Sequence, residues 1–386
     1  MALYFTYELI IHLIFFQAAL LLIVVSNIWI MNRSRKTDSL EDFPLVSILV
    51  PARDEERNIA ICVQSLLNQD YPAFEILVLD DQSSDRTFSI LDEISQANQK
   101  LRVFSGKPTP NGVQGKNWAC SQLAGQAKGE LLFFTDADTQ FSADALRRAV
   151  ATMLGEEADL LTGYPRQVMG TWGERFLVPF FTWAMLTFNS LWLAYILKVP
   201  ALSSAVGQMM LFKREAYFKI GGHEGIGESV VDDLSLARGI IAGGFCWRVT
   251  YIADIISCRM YQNGQEARQG FSKNLFAVFD FRIIPFVFVF SWLVILFWWP
   301  LILLLANILG KAPFSNPSHI YVCIIFSILL WGIQYANVKI NILLAFLYPL
   351  TILVITVTAF QSLYYSLSGK LVWKGRQLAR ANWKWI

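Results

Sequence analysis

Five stretches of the 386-residue chain are continuously apolar, at 5–31, 176–197, 283–309, about 319–335 and 341–366. Crossing a bilayer takes about 20 apolar residues in a helix, and the first stretch is long enough. No Lys or Arg precedes it, whereas Arg33, Arg35 and Lys36 follow at once. Basic residues gather on the cytoplasmic flank of a span, so this asymmetry predicts an outside N-terminus and a cytoplasmic chain from residue 33 onward. A cleaved signal peptide fits less well, because the run has no basic segment before it and no small-residue cleavage site after it. Residues 1–32 are therefore expected to be a transmembrane anchor.

Residues 45–160 follow another rhythm. LVSILVPAR, EILVLDD (75–81) and ELLFFTDAD (130–138) are short apolar runs rich in strand formers, and helix-like text lies between them at about 58–69, 85–99 and 116–128. Strands alternating with helices predict βαβ units and a parallel sheet. All three runs end in polar or acidic residues: Arg53-Asp54-Glu55, Asp80-Asp81 and Asp136-Ala137-Asp138. Ligands of such sheets bind at the C-terminal strand ends, so the three ends read as one site.

The 176–197 stretch is constrained by parity. A single crossing there would separate the acids before it from those after it, so an interfacial or re-entrant element is expected, broken near Pro179 and Asn189. Its aromatic content suits the headgroup region. Soluble character returns at 201–275, and 283–366 is expected to form two or three membrane helices. The 319–335 stretch is short and carries Trp331 and Gln334, which favours an interfacial position. Three crossings would leave the C-terminus outside. The basic tail, 367–386, carries Lys370, Lys374, Arg376, Arg380 and Lys384 and should be cytoplasmic.

Composition agrees: 55% of residues are hydrophobic and the mean hydropathy is +0.43, above the roughly 45–50% apolar content of soluble domains. A net charge of +2 gives no argument for nucleic-acid binding. The five cysteines contain no Cys-x-x-Cys pair and the three histidines are far apart, which disfavours a zinc site or a disulfide framework.

The candidate chemistry is carboxylate chemistry. In a strand, the spacing of Asp136 and Asp138 would place both on one face, as suits a hard divalent cation, Mg²⁺ or Mn²⁺, bridging phosphates. An ordinary acidic turn is the alternative. In DDQSSDRT (80–87), Asp85 suits a helix cap, and Asp81 is a candidate for binding a base or ribose. Asp232 and Asp233 open an apparent helix, where acids complement the helix dipole or one serves as a general base. Lys116 either reaches a phosphate or is a solvated lysine at a helix start. His223 lies in a Gly-rich loop, where a structural role is the first expectation. Residues 262–274 read as a juxtamembrane face or a loop closing over a donor.

VSILVPARDEERNIAICVQSLL, EILVLDDQSSDRT, GKNWA, ELLFFTDADT and VVDDLSLAR occur in this order across roughly 45–275. In this the chain resembles family 2 glycosyltransferases of GT-A fold, an ordered and specific set of motifs. The membrane segments and the terminal VWKGRQL look like the bacterial membrane subgroup that includes carotenoid- and hopanoid-associated enzymes, and ceramide glucosyltransferases are similar in layout. The resemblance implies an α/β GT-A (nucleotide-diphospho-sugar transferase) domain over 43–275, with N- and C-terminal transmembrane helices. It implies inverting transfer from a UDP-sugar to a lipid acceptor at the plasma membrane. Ala52, Glu55 and Asp81 would contact the nucleotide, Asp136 and Asp138 would serve the metal and diphosphate, and Asp233 would be the catalytic base. Two departures stand out: the acid pair is Asp232-Asp233 rather than Glu-Asp, and Gln265, Arg268 and Phe271 are not followed by the Trp of a Gln-x-x-Arg-Trp motif. The second weakens the alternative of a processive polysaccharide synthase, which also should need more spanning helices. A non-catalytic membrane protein with a degenerate domain would be expected to have lost one of the acids.

Overall fold

The computed structural model describes residues 2–33, 42–311, 317–370, 372–373, 376–377 and 383–386. Arg35, Lys36, Lys374 and Arg380, which the charge argument used, lie outside the described residues. The chain divides into two compact units: residues 28–168 with 191–260, and residues 1–27 with 169–190 and 261–386.

Helix α1 (Ala2–Arg33) opens the chain. The first unit is then built by β1 (Val46–Ala52), α2 (Ile59–Leu67), β2 (Phe74–Asp80), α3 (Thr87–Gln96), β3 (Leu101–Ser105), α4 (Gly115–Gln126), β4 (Leu131–Phe134), β5 (Thr139–Phe141), α5 (Ala145–Gly155), β6 (Leu160–Tyr164) and β7 (Arg166–Gln167). The order β3-β2-β1-β4 is fully parallel. Both faces of these strands are covered, which is why their sequences are apolar runs rather than alternations. Ile48, Val50, Val63, Leu66, Leu146 and Val150 share one core between sheet and helices. Where the chain enters β4, a Cβ on Gly129 would lie 2.5 Å from the Ser47 amide and 2.7 Å from the Leu45 carbonyl. Only glycine admits that approach.

The chain continues through α6 (Trp172–Phe188) and α7 (Leu191–Leu197) to β8 (Met210–Lys213), α8 (Arg214–Lys219), α9 (Gly222–Gly225), α10 (Asp232–Ala242), β9 (Trp247–Tyr251) and β10 (Ile256–Cys258). β8 inserts antiparallel between β4 and β6, with Phe134 opposite Met210. β9 extends the sheet parallel to β6. The C-terminal ends of β1, β2 and β4 and the start of β8 therefore meet at one edge. A second small sheet, β5-β10-β7, sets Cys258 opposite Thr139.

The second unit contains α6, α11 (Gly264–Asn274), α12 (Ile283–Ile308), α13 (Ser318–Asn337) and α14 (Tyr348–Ser368) with the start of α1. Pro179 sits inside α6 without breaking it, and the helix ends at Asn189 instead. There the buried Asn27 amide donates to the Leu186 and Asn189 carbonyls, at 2.9 and 2.7 Å. Those carbonyls lie at the helix end, where intrahelical partners run out. Trp183 stacks on Trp331 at 4.0 Å, and Gln17 donates to Ser327 at 2.9 Å. Gln334 is buried rather than lipid-facing, so it gives no reason to lay its segment in the interface. Among the described residues, four helices are long and apolar enough to cross a membrane: Glu8–Arg33, Ile283–Ile308, Ser318–Asn337 and Ile342–Ser368.

α12 and α14 run antiparallel. Phe286 packs on Phe360, and twelve residues' worth of helix further on Trp298 donates to the Pro349 carbonyl. The 342–347 turn packs on α13 at Gly332, where a Cβ would be in ordinary contact, 3.5 Å from Ile342. The chain end returns to the start of α12: Ile283 and Ile284 amides donate to the Lys384 and Trp385 carbonyls at 2.9 and 3.0 Å.

Candidate active site

The parallel register delivers the nucleotide-side residues to one edge. The Asp81 amide donates to the Ala52 carbonyl at 2.7 Å, and Arg53 donates to the Asp81 carbonyl at 2.7 Å while its guanidinium lies 3.7 Å from the Asp81 carboxylate. Asp54 and Gln82 follow in left-handed conformation, with φ of 51° and 57°. Such non-glycine residues cost energy, and they cluster at functional sites. Here the Ser84 amide donates to Asp54 at 2.7 Å and ties the two turns together. Glu55 accepts from the Asn58 side chain. Asp85 lies one residue before the helix cap, Arg86, and accepts from the Thr87 amide at 2.9 Å and from the Glu56 amide at 3.0 Å, so it ties the turn rather than caps the helix.

The acidic residues gather around Lys116. Its ammonium lies 2.8 Å from Asp136 and 3.4 Å from Asp232. Asn117 explains how these residues meet: its amide donates to the Gly227 and Ser229 carbonyls, at 2.9 and 3.1 Å, and so fixes the loop before α10 on the start of α4. Asp232 and Asp233 stand in the first turn of α10, where acids complement the helix dipole. Asp232 also faces Lys116, and Asp233 accepts from its neighbour Leu234 at 2.8 Å and from the Gly207 amide at 3.3 Å. A Cβ on Gly207 would stand 3.1 Å from the Lys116 ammonium. Sequence reasoning passed over Gly207, because the strand that delivers it, β8, runs against its neighbours.

Burial first, and then the adjacent Asp232 charge, push the Asp233 carboxyl up to about 7, against the opposing pull of Lys116. Lys116 moves well above its ordinary value: burial works against its charge, but Asp136 and Asp232 outweigh it. Burial, a neighbouring acid and an opposing lysine thus act together on one carboxyl at the sheet edge, a pattern common to functional sites and to structural ion-pair networks.

Asp136 and Asp138 do not lie along a strand. β4 ends at Phe134, and both acids occupy the turn into β5. Strand geometry therefore does not bring them to one face: Asp136 meets Lys116, and Asp138 accepts from the Cys258 thiol at 3.3 Å. Among the described residues, no group of three His, Cys, Asp or Glu side chains is placed to hold a metal. The Asp136 and Asp138 carboxylates are hard oxygen donors that fit Mg²⁺ or Mn²⁺, but only with further oxygens from a bound ligand such as a diphosphate. Residues 262–274 are largely helix: α11 is capped by Asn263, which accepts from the Glu266 amide at 2.9 Å, and Arg268 donates to Gln361 of α14.

Residues 47–221 match the family described as Glycosyl transferase family 2, and Asp232 and Asp233 lie after the matched stretch. The fold is GT-A: a mannosyltransferase from Pyrobaculum calidifontis, solved in complex with GDP-Man and Mn2+, aligns over 91% of this chain and 99% of its own with a TM-score of 0.53 at 19% identity. Among sequence relatives, a beta-monoglucosyldiacylglycerol synthase of Trichormus variabilis is 38% identical over 109 residues, 28% of this chain. A 4,4'-diaponeurosporenoate glycosyltransferase of Staphylococcus aureus is 26% identical over 256 residues, 64% of this chain. The chain covers 23% of the former protein's length and 65% of the latter's.

Proposed function

We propose that the protein transfers a sugar from a nucleotide-sugar donor, a UDP-sugar in the first instance, to a hydroxyl or carboxyl group of a membrane lipid, with inversion. The observation that carries this reading is the carboxylate cluster at the sheet edge, where Lys116 lies 2.8 Å from Asp136 and 3.4 Å from Asp232, beside Asp233. In the proposed step Asp233 takes the acceptor proton as the acceptor oxygen bonds to the anomeric carbon. The bond from that carbon to the diphosphate oxygen breaks, and the nucleoside diphosphate leaves with the electron pair. Ala52, Glu55 and Asp81 line the nucleotide side, while Lys116 balances charge on the leaving group. Asp136 and Asp138 would hold Mg²⁺ or Mn²⁺ together with diphosphate oxygens, and the ion would supply charge neutralisation. A carotenoid, other isoprenoid or diacylglycerol acceptor accords with the relatives' names and with the four apolar helices. Anomeric-proton coupling in the NMR spectrum of the product tests the step. Inversion, lost on adding EDTA, is expected, and retention of configuration would overturn the single-displacement assignment.

The membrane placement follows the same reasoning. The chain end lies beside the start of α12, and we place this end on the cytoplasmic side because basic flanks gather there, which requires an even number of crossings among α12–α14. A green fluorescent protein fused after Ile386 should fluoresce and an alkaline phosphatase fused there should be inactive. The opposite pair of results would reverse the assignment.

A further inference from the structure

A cleft of about 470 Å³ lies within the first unit, at the start of β6 and β9. It is away from the C-terminal strand ends that carry the carboxylates. Trp29 and Arg33 of the last turn of α1 form one wall, and Glu156 and Glu157 at the end of α5 form another. Tyr195 of α7 and Arg248 of β9 complete the polar lining. Two of the four charges are matched to each other. Arg248 lies 3.5 Å from Glu156 and stacks on the Tyr195 ring at 4.6 Å, while the Tyr195 oxygen accepts from the Val249 amide at 2.9 Å.

The other two charges stand apart. Glu157 follows the C-terminal cap of α5, where the helix dipole disfavours an acid. Among the described residues no cation pairs with it. Arg33 ends α1 with its guanidinium 5.5 Å from the centre of the Trp29 ring, and among the described residues no acid pairs with it. The four charged residues lining the cleft sum to zero, so the cleft as a whole does not select an anion. It presents one guanidinium and one carboxylate from different walls.

The position of the cleft says what could reach it. α1 is a candidate span that ends at Arg33, so its last turn stands at headgroup depth, where Trp and Arg gather. Trp192, Ile196 and Leu197 of α7 are exposed beside the Tyr195 wall, as suits a helix lying in the interface. A headgroup with only a phosphate would meet Arg33 but leave Glu157 facing a further negative charge. A phosphate joined to a primary ammonium matches both, and the ammonium donates N–H bonds to the carboxylate.

We propose that this cleft is a headgroup site for a zwitterionic phospholipid, with the phosphate on Arg33 and the primary ammonium on Glu157. A lipid held there ties the end of α1 to the end of α5. This rests on the reading of α1 as a span with residue 33 at the cytoplasmic surface, and is independent of the catalytic assignment.

Native mass spectrometry of the full-length protein, released from nanodiscs holding phosphatidylethanolamine and phosphatidylglycerol in equal amounts, tests the proposal. The wild type should retain phosphatidylethanolamine over phosphatidylglycerol by about threefold to fivefold, the scale of one exposed ion pair. Glu157→Gln should remove the preference, and Glu157→Lys should reverse it towards the anionic lipid. Arg33→Gln should lower retention of both lipids. Helical circular dichroism of each variant should match the wild type. Glycerophosphoethanolamine, the same headgroup without acyl chains, should not compete at equal concentration; effective competition would assign the cleft to a soluble phosphate ester and overturn the lipid site. No preference in the wild type, or an unmoved preference in both folded Glu157 variants, would overturn the proposal alone. Protein that does not enter nanodiscs would overturn the membrane reading together with it.

Discussion

Asp233→Asn is expected to lower the turnover of sugar transfer by about 10²–10⁴-fold, the range general-base removal produces, while the protein stays folded in the membrane. The amide keeps the side chain's size, and its one oxygen can still accept from Leu234, whose N–H now makes the shorter of the two bonds, while the longer bond from Gly207 to the other carboxylate oxygen is lost. What it cannot do is take a proton. The wild-type carboxyl, raised to about 7, is protonated and idle well below that pH, so wild-type activity should rise as pH increases through it. The same shift has a stability consequence whose sign is fixed. A folded-state pKa above the unfolded one contributes stability that is present below the unfolded value and is lost as pH rises through about 7. Asp233→Asn carries no ionising group there, so its thermal midpoint at pH 8 should be no lower than that of the wild type. Near-wild-type turnover in this variant would remove Asp233 from the mechanism.

Lys116→Ala should produce the second largest effect, and one with a distinct pH signature. The ammonium holds Asp136 and Asp232 at 2.8 and 3.4 Å and pulls the Asp233 pKa down. Its removal leaves three acids without that common counter-charge, so Asp233 should titrate at higher pH. At pH 7 the variant should lose about 10-fold or more in turnover, on the scale of removing one electrostatic stabiliser of a transition state, and part of the loss should return at pH 8.5 to 9. The lysine side chain is 42% exposed, so solvent screening tempers the cost to stability. Lys116→Arg keeps the charge and should keep the pH profile, although its planar fork differs from the lysine's point charge. A Lys116→Ala profile that falls uniformly, without an upward move of the acid limb, would show that the lysine acts on the ligand alone.

Much of this architecture was legible in the residues. β1, β2 and β4 are apolar runs because the sheet is covered on both faces, and runs of that kind survive inspection without structural context. Their acidic ends coincide because adjacent parallel strands share an edge. Geometry beyond the strands was not legible. Two acids spaced by one residue suggested one strand face, but the strand stops at Phe134 and the turn sends Asp136 to Lys116 and Asp138 to Cys258. Asp232 opens its helix as expected, but its pairing with Lys116 was not legible, because Asn117 anchors a distant loop. Of the two expected breaks, the helix continues past Pro179 and ends at Asn189, where Asn27 donates to its last carbonyls. The contact of Tyr217 with His223 was not legible either: a phenol reaching back to an imidazole over a glycine is a property of the folded turn and leaves no periodic trace.

The central claim is the transfer of a sugar to a membrane lipid, and one assay meets it directly. Purified full-length protein would be incubated in native lipid extract with a panel of radiolabelled UDP- and GDP-sugars, with Mg²⁺ or Mn²⁺ and with EDTA, and the lipids separated afterwards. Label from one donor in a single lipid band, dependent on the metal and absent with Asp233→Asn, is the predicted result. No label from any donor, in protein shown to be folded, would contradict it.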